Sequence, residues 1–157
     1  MIKLLRVDHR LLHGQVVFAW SNALRPTCIL VANDDVPGDE VRKTTLRLSK
    51  PAGVKLVMKS IDDSIAAINS GATDKYDLMI VVSNVADACK LADACERVTS
   101  IDLGGTKATA STYAASKMVN LTEEEDKQLA HSMSLGTEIF IQAVPSDRKS
   151  PFTPRFA

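Results

Sequence analysis

At 157 residues the chain fits one domain, and a chain of this size buries about two thirds of the surface it exposes when unfolded. Hydrophobic residues make up 45% and charged residues 24%, a balance that excludes disorder, collagen and coiled coil and leaves a compact globular fold. Nineteen Lys and Arg offset nineteen Asp and Glu and only 4% of residues are aromatic, so there is neither the positive field nor the stacking platform that nucleic acid requires.

The chain opens with Ile2 to Val7, a nearly unbroken apolar run that predicts a buried strand. Met1 to Arg6 shows no long apolar stretch followed by a small-residue cleavage site, and no apolar run reaches the about 20 residues of a membrane span, so the expected location is the cytoplasm. Asp8 to His13 is a polar interval. Gly14 and Gln15 then begin a helical pattern through Val16, Val17, Ala19, Trp20 and Ala23. Cys28 to Ala32 is the second strand, followed by Asn33-Asp34-Asp35-Val36-Pro37, which resembles a helix start with capping acids.

Val54 to Met58 is the third strand. Ser60 with Asp63 resembles a capping box, Ile61, Ile65 and Ile68 form one stripe, and Gly71 stands where that helix stops. Leu78 to Val82 is a strand, and Asn84 precedes a helical stripe of Val85, Cys89, Ala92 and Cys95. Val98 to Leu103 is the next strand, ending at Gly104-Gly105-Thr106. Ala110 to Val119 is ambiguous and is read as room for a short, antiparallel extra strand. Thr122 with Glu125 caps a helix carrying Leu129 and Met133, Glu138 to Ala143 is the last long strand, and the Pro-containing tail, 150–157, is expected to be mobile.

Short apolar runs alternating with helical patterns give the fold class: α/β, a single domain over residues 1–157, with an open, mostly parallel sheet of about six or seven strands, one antiparallel, and helices on both faces. The three cysteines lack CxxC spacing and lie in apolar patterns, so core packing is expected rather than disulfides or zinc.

Ligands of such sheets bind beyond the carboxyl ends of the strands, where strand order reverses. Four polar groups follow strands: Asp8 to His13, Asn33 to Asp35, Ser83-Asn84 and Gly104 to Thr106, and the first is the richest. His13 stands at a helix entrance, where free N–H groups and the helix dipole favour an anion by about 0.3–1 kcal/mol when exposed and up to about 2 when partly buried. Arg10 adds charge-assisted hydrogen bonds of roughly 1.5–3 kcal/mol to a phosphate-like group. The same field favours the uncharged imidazole, whose lone pair is nucleophilic toward phosphorus, and Asp8 is placed to orient the ring through its other nitrogen. Gly14 leaves room for a partner's close approach.

Plainer readings stand beside these. From composition alone a histidine before a helix is most often a simple polar loop residue, and Arg6 with Asp8 reads as an ordinary ion pair at a strand end. Gly104-Gly105 is either a tight turn or an amide cradle, without the G-x-x-x-x-G-K-[ST] pattern of a nucleotide loop. His9 and His13 have the i, i+4 spacing of zinc ligands, but no glutamate follows His9 and no third ligand is evident, so no metal is expected. A non-covalent nucleotide- or anion-sensing domain remains the alternative to covalent chemistry.

The stretch RVDHRLLHGQV, 6–16, resembles the active loop of the IIB components of the bacterial sugar phosphotransferase system, mannose/fructose/sorbose class. NDDVPGDEVRK at 33–43 and IDLGG at 101–105 support it, and the likeness runs in order over about residues 1–150, with 107–116 departing from the family pattern. The resemblance implies a phosphoryl carrier without cofactor or metal. In it, a IIA phosphohistidine donates to His13, Arg10 stabilises the phosphate, Asp8, Gly14 and Gln15 complete the motif, and the group passes to a sugar at membrane IIC and IID permease subunits, with which the domain associates peripherally. His9 receives no role.

Overall fold

The computed structural model describes residues 1–156. The strands in chain order are β1 (Ile2–Asp8), β2 (Cys28–Ala32), β3 (Lys55–Lys59), β4 (Leu78–Val82), β5 (Ser100–Gly105), β6 (Tyr113–Ala114), β7 (Asn120–Leu121), β8 (Glu138–Ile141) and β9 (Ser150–Pro151). The helices are α1 (Gly14–Leu24), α2 (Glu40–Ser49), α3 (Ile61–Asn69), α4 (Val85–Ala94) and α5 (Glu123–Ser134), with a 3₁₀ turn at Val36–Gly38. Seven strands form one sheet in the order β3-β2-β4-β1-β5-β8-β9, parallel except for β9 against β8. The expected α/β class and strand count are thus observed.

Side chains of β1 alternate between two cores, as period-two geometry requires. Leu4 joins Val17 and Trp20 of α1 and Leu46 of α2 on one face. Leu5 and Val7 join Ile61 and Ile68 of α3, Val85 and Leu91 of α4, and Leu129 of α5 on the other. The connection from β1 runs toward β2 and that from β4 runs back toward β5, so right-handed crossovers put α1 and α4 on opposite faces. β1 and β4 are neighbours, and their carboxyl ends therefore flank the crevice where ligands of open sheets bind. At the edge, β3 is half-buried and carries Lys55 and Lys59 at its ends, charges that discourage strand addition.

Helix starts follow the sequence signals with some exchange of partners. Thr122 and Glu125 form a complete capping box. Ser60 accepts from the Asp63 N–H at 3.1 Å, but the second acceptor at that helix start is Asp34, which takes the Ile61 N–H at 2.9 Å. At 33–37 Asn33 does the capping: its Oδ1 accepts from Asp35 and Val36, and α2 begins later, capped by Asp39.

Two expectations change. Residues 110–119 do hold a short antiparallel strand, β6, but it pairs with β7 in a sheet of its own, and the antiparallel member of the main sheet is β9. β9 opens the tail expected to be mobile, and its described residues, 150–156, are anchored. Phe152 is buried and its N–H donates to Ile139 O at 2.9 Å. Buried Asp126 accepts from the N–H groups of Arg155 and Phe156 and from the Tyr113 hydroxyl. A two-residue strand with a proline has no periodicity to betray it, and its anchor lies on α5.

Burial pushes the Asp126 carboxyl up, but its three donors and the Arg155 charge outweigh that and leave it below the usual carboxylate range. The resulting stabilisation is present above about pH 4, the ordinary carboxylate value, and is lost as pH falls through the lowered folded value. Deleting residues 152–157 is expected to cost at least about 3 kcal/mol at pH 7, from the lost phenylalanine and the buried carboxylate left with Tyr113 as its one donor. Urea unfolding at pH 7 and pH 3 should show that cost shrinking at the lower pH.

Candidate functional site

Beyond β1 the chain makes a tight, strained turn. The Leu11 N–H donates to Asp8 O at 2.9 Å, the His9 N–H donates to Gly105 O at 3.1 Å, and Leu11 adopts a left-handed φ of 60°. Such a conformation costs a leucine about 1–3 kcal/mol and persists only where the surroundings enforce it. Here Leu11 and Leu12 are both buried in the core beneath α1. With the two leucines pointing inward, Arg10 stays a third exposed and His13 lies on the surface. Gly14 has φ 44°, and nothing lies within 4 Å of where its side chain would begin. Gln15 is exposed beside it.

His13 is the N-cap of α1 by position, with extended backbone (φ −136°, ψ 109°), yet its ring makes no capping hydrogen bond. The first turn of α1 contains no acidic residue, whereas those of α2, α3, α4 and α5 all do. The positive end of this helix is therefore left for an outside anion.

Below the loop lies an alternating chain of charges. Asp8, 1% exposed, accepts from the Arg10 N–H at 3.0 Å and Arg10 Nε at 3.4 Å through Oδ1, and meets an Arg6 terminal nitrogen at 3.5 Å through Oδ2. The other terminal nitrogen of Arg6 donates to Asp102 Oδ2 at 2.9 Å and to Gln142 O at 3.0 Å. Asp102 also accepts the Gln142 N–H at 3.0 Å. Burial pushes the Asp102 carboxyl up to about 6, against the opposing pull of Arg6 and the Gln142 N–H. Trp20 lies 5.6 Å from the Arg6 guanidinium carbon, and its indole N–H donates to Ala143 O at 3.1 Å, tying α1 to the end of β8.

Asp8, Arg10, His13, Gly14 and Gln15 thus share one turn, but Asp8 does not serve His13 as expected. Both its oxygens are taken by arginines, so it holds Arg10 rather than the imidazole. The Arg6–Asp8 pair read from sequence exists, buried and shared with Asp102. Gly104 and Gly105 are neither a turn nor an amide cradle. They end β5, and a Cβ on Gly104 would lie 2.1 Å from the Arg6 guanidinium carbon. His9 Nδ1 sits 3.4 Å from Gly105 O, in the turn just after β1 rather than on a helix. Asp102, Trp20 and Gln142 escaped sequence reasoning. The one available signal was Asp102, a lone acid inside an apolar strand.

A cavity of about 620 Å³ lies elsewhere, between α4 and α5, lined by Cys89, Lys90, Asp93, Lys127 and His131. Burial pushes the Cys89 thiol up to about 11, which removes it as a nucleophile at neutral pH.

The family model for the PTS system sorbose subfamily IIB component matches residues 2–157. A probable phosphotransferase enzyme IIB component of Streptococcus pyogenes serotype M6 is 33% identical over 156 residues, 95% of each chain. A mannose-specific EIIAB component of Escherichia coli K12 is 28% identical over 149 residues, 95% of this chain and 46% of that one. The crystal structure of the IIBSor domain of the Klebsiella pneumoniae sorbose permease superimposes with a TM-score of 0.89 at 27% identity, covering 96% of this chain and 93% of that one.

Removing the guanidinium at the centre of the charge chain strands two buried carboxylates. Arg6→Leu is expected to lower stability by about 3–5 kcal/mol, while Gly14→Ala, which meets only backbone strain, should cost about 1–2 kcal/mol. Urea unfolding of both variants at pH 7 checks the order.

Proposed function

The chain belongs to the sorbose-subfamily IIB components of the phosphotransferase system, and is a phosphotransferase acting in sugar uptake; from that premise we propose that His13 accepts and passes on the phosphoryl group. The observation that carries this reading is the His13 ring, exposed and free of capping bonds at a helix start without acidic residues, on the turn that also holds Arg10.

In the first step a ring nitrogen of His13 attacks phosphorus on the phosphohistidine of a IIA protein or domain. The new N–P bond forms as the donor N–P bond breaks, and the donor ring keeps the electron pair. In the second step a sugar hydroxyl attacks and its O–P bond forms as the His13 N–P bond breaks; the His13 ring keeps the electron pair, and the hydroxyl proton passes to a base on the sugar-presenting partner or to water. Both displacements need the attacking and leaving atoms in line and the charge on the equatorial oxygens balanced, so positioning and electrostatics supply most of the catalysis. Arg10 and the first N–H groups of α1 face that charge, Gly14 lets the donor's surface approach, and Gln15 offers a polar contact beside it.

The donor in this reading is a IIA phosphocarrier, consistent with the name of the E. coli relative, which joins A and B units. The acceptors are membrane IIC and IID permease subunits presenting the sugar, with this chain docking peripherally from the cytoplasm. Among the described residues no helix is long and apolar enough to cross a membrane, and the proposal gives that passage to those subunits. Both dockings must release readily, so interfaces at the small, polar end of the usual range are expected.

Incubation with a phosphorylated IIA protein, followed by site mapping under alkaline conditions that preserve phosphohistidine, tests the assignment. His13→Ala should remain folded and incorporate no phosphate; alkali-stable phosphate on that variant would refute it. Arg10→Lys keeps the charge but loses the planar fork and should slow transfer about tenfold, equivalent to about 1.4 kcal/mol of transition-state stabilisation. Calorimetric heat on adding phosphate without any phosphohistidine would favour a non-covalent anion sensor.

A further inference from the structure

We infer that Asp102 is a positioning residue for phosphoryl transfer, acting on Arg10 through Arg6 and Asp8. The inference rests on the assignment of His13 and Arg10 above and names the element that aims the arginine.

Charge counting carries the first half of the argument. Arg6, Asp8 and Asp102 are all at least 97% buried, and together one cation and two anions leave an excess negative charge inside the protein. An unbalanced buried charge is costly, and a second cation is needed to offset it. Arg10 is that cation, bonded to Asp8 through both its backbone N–H and its Nε. Because Asp8 takes Nε, the terminal nitrogens of Arg10 stay available to the oxygens of a transferring phosphoryl group.

Geometry carries the second half. Arg6 lies 2.9 Å from Asp102 but 3.5 Å from Asp8, so its main attachment is to the deeper carboxylate. It is also held by Gln142 O, by the face of Trp20, and by the slot left where Gly104 has no side chain. This restraint keeps Asp8 for Arg10. If Asp102 loses its charge, the triad becomes neutral, Arg6 turns toward Asp8, and the hold on Arg10 weakens. Arg10 is a third exposed and has little else to fix its side chain.

The test is a double-mutant cycle on the full chain, with phosphorylated IIA protein as donor and the initial rate of phosphate incorporation at His13 as readout. Asp102→Asn preserves shape and the acceptor for the Gln142 N–H. It should lower kcat about 10- to 100-fold, as expected for a displaced catalytic group, with the KM for the donor unchanged. In an Arg10→Ala background the same substitution should cost less than about threefold, because coupled residues are non-additive. Gly104→Ala, which pushes Arg6 aside without changing any charge, should give the same pattern, and it replaces Asp102→Asn in the cycle if that variant fails to fold. Full additivity with Arg10→Ala, or a folded Asp102→Asn protein transferring at the wild-type rate, overturns the inference. Wild-type protein that takes no phosphate at His13 overturns the functional reading as well, and so separates the two failures.

Discussion

A guanidinium cannot be sealed inside a sheet without carboxylates to meet it, and Arg6 is such a group, 3% exposed at the carboxyl end of the central strand. Each buried ion forgoes several kcal/mol of hydration, which close, well-shaped partners must offset. That requirement reaches outward in sequence. It fixes an aspartate on β5, it forbids a side chain at Gly104, and it occupies one oxygen of Asp8. It also recruits the chain after β8, whose Gln142 contacts both members of the Arg6–Asp102 pair. Strands β1, β5 and β8 are neighbours in the sheet, so the polar cluster fastens three strand ends at the rim that carries the candidate site.

The loop above this cluster solves a different problem, which is to be both exposed and fixed. Loops owe their mobility to few buried contacts, yet this one sinks two consecutive leucines into the core and accepts a left-handed backbone at the first. Leu→Ala changes in cores cost about 2–5 kcal/mol, a figure that exceeds the strain and explains why the turn holds. The polar residues on either side are thereby presented by a rigid base. Asp8 fastens the inner end of the loop and the first turn of α1 fastens the outer end.

Periodic features were legible in the sequence because they arise from local chemistry. Continuous apolar runs marked the six long strands, with ends displaced by a residue or two, and Thr122, Asn84 and Ser60 marked helix starts. The motif around His13 marked the candidate site, whose role is the proposal made above. What escaped were relations between distant residues. Asp102 looked like an oddity in an apolar strand until β5 was laid beside β1, and Gly104-Gly105 looked like a turn because its requirement comes from Arg6, nearly a hundred residues earlier. Asp8 was matched to His13 by function rather than to the two arginines in space. The tail was read as loose because Asp126, which anchors it, gave no sign of having the backbone of Arg155 and Phe156 as partners.

These relations bear on the phosphoryl-carrier role proposed for His13. Such a residue must be open to two proteins in turn, so it cannot be enclosed in a pocket, and an exposed histidine alone has no means of holding a transferring group in line. The fold separates the two demands. Exposure belongs to His13 and Gly14 at the helix start, where free N–H groups point outward. Precision belongs to buried groups one layer below, whose low-dielectric surroundings strengthen every interaction among them. Arg10 joins the layers: its stem and Nε are held from beneath while its far end faces solvent. In the role proposed for it, a site built this way takes its geometry from the sheet rather than from the visiting partner, so the same arrangement would serve a protein donor in one step and a sugar in the next.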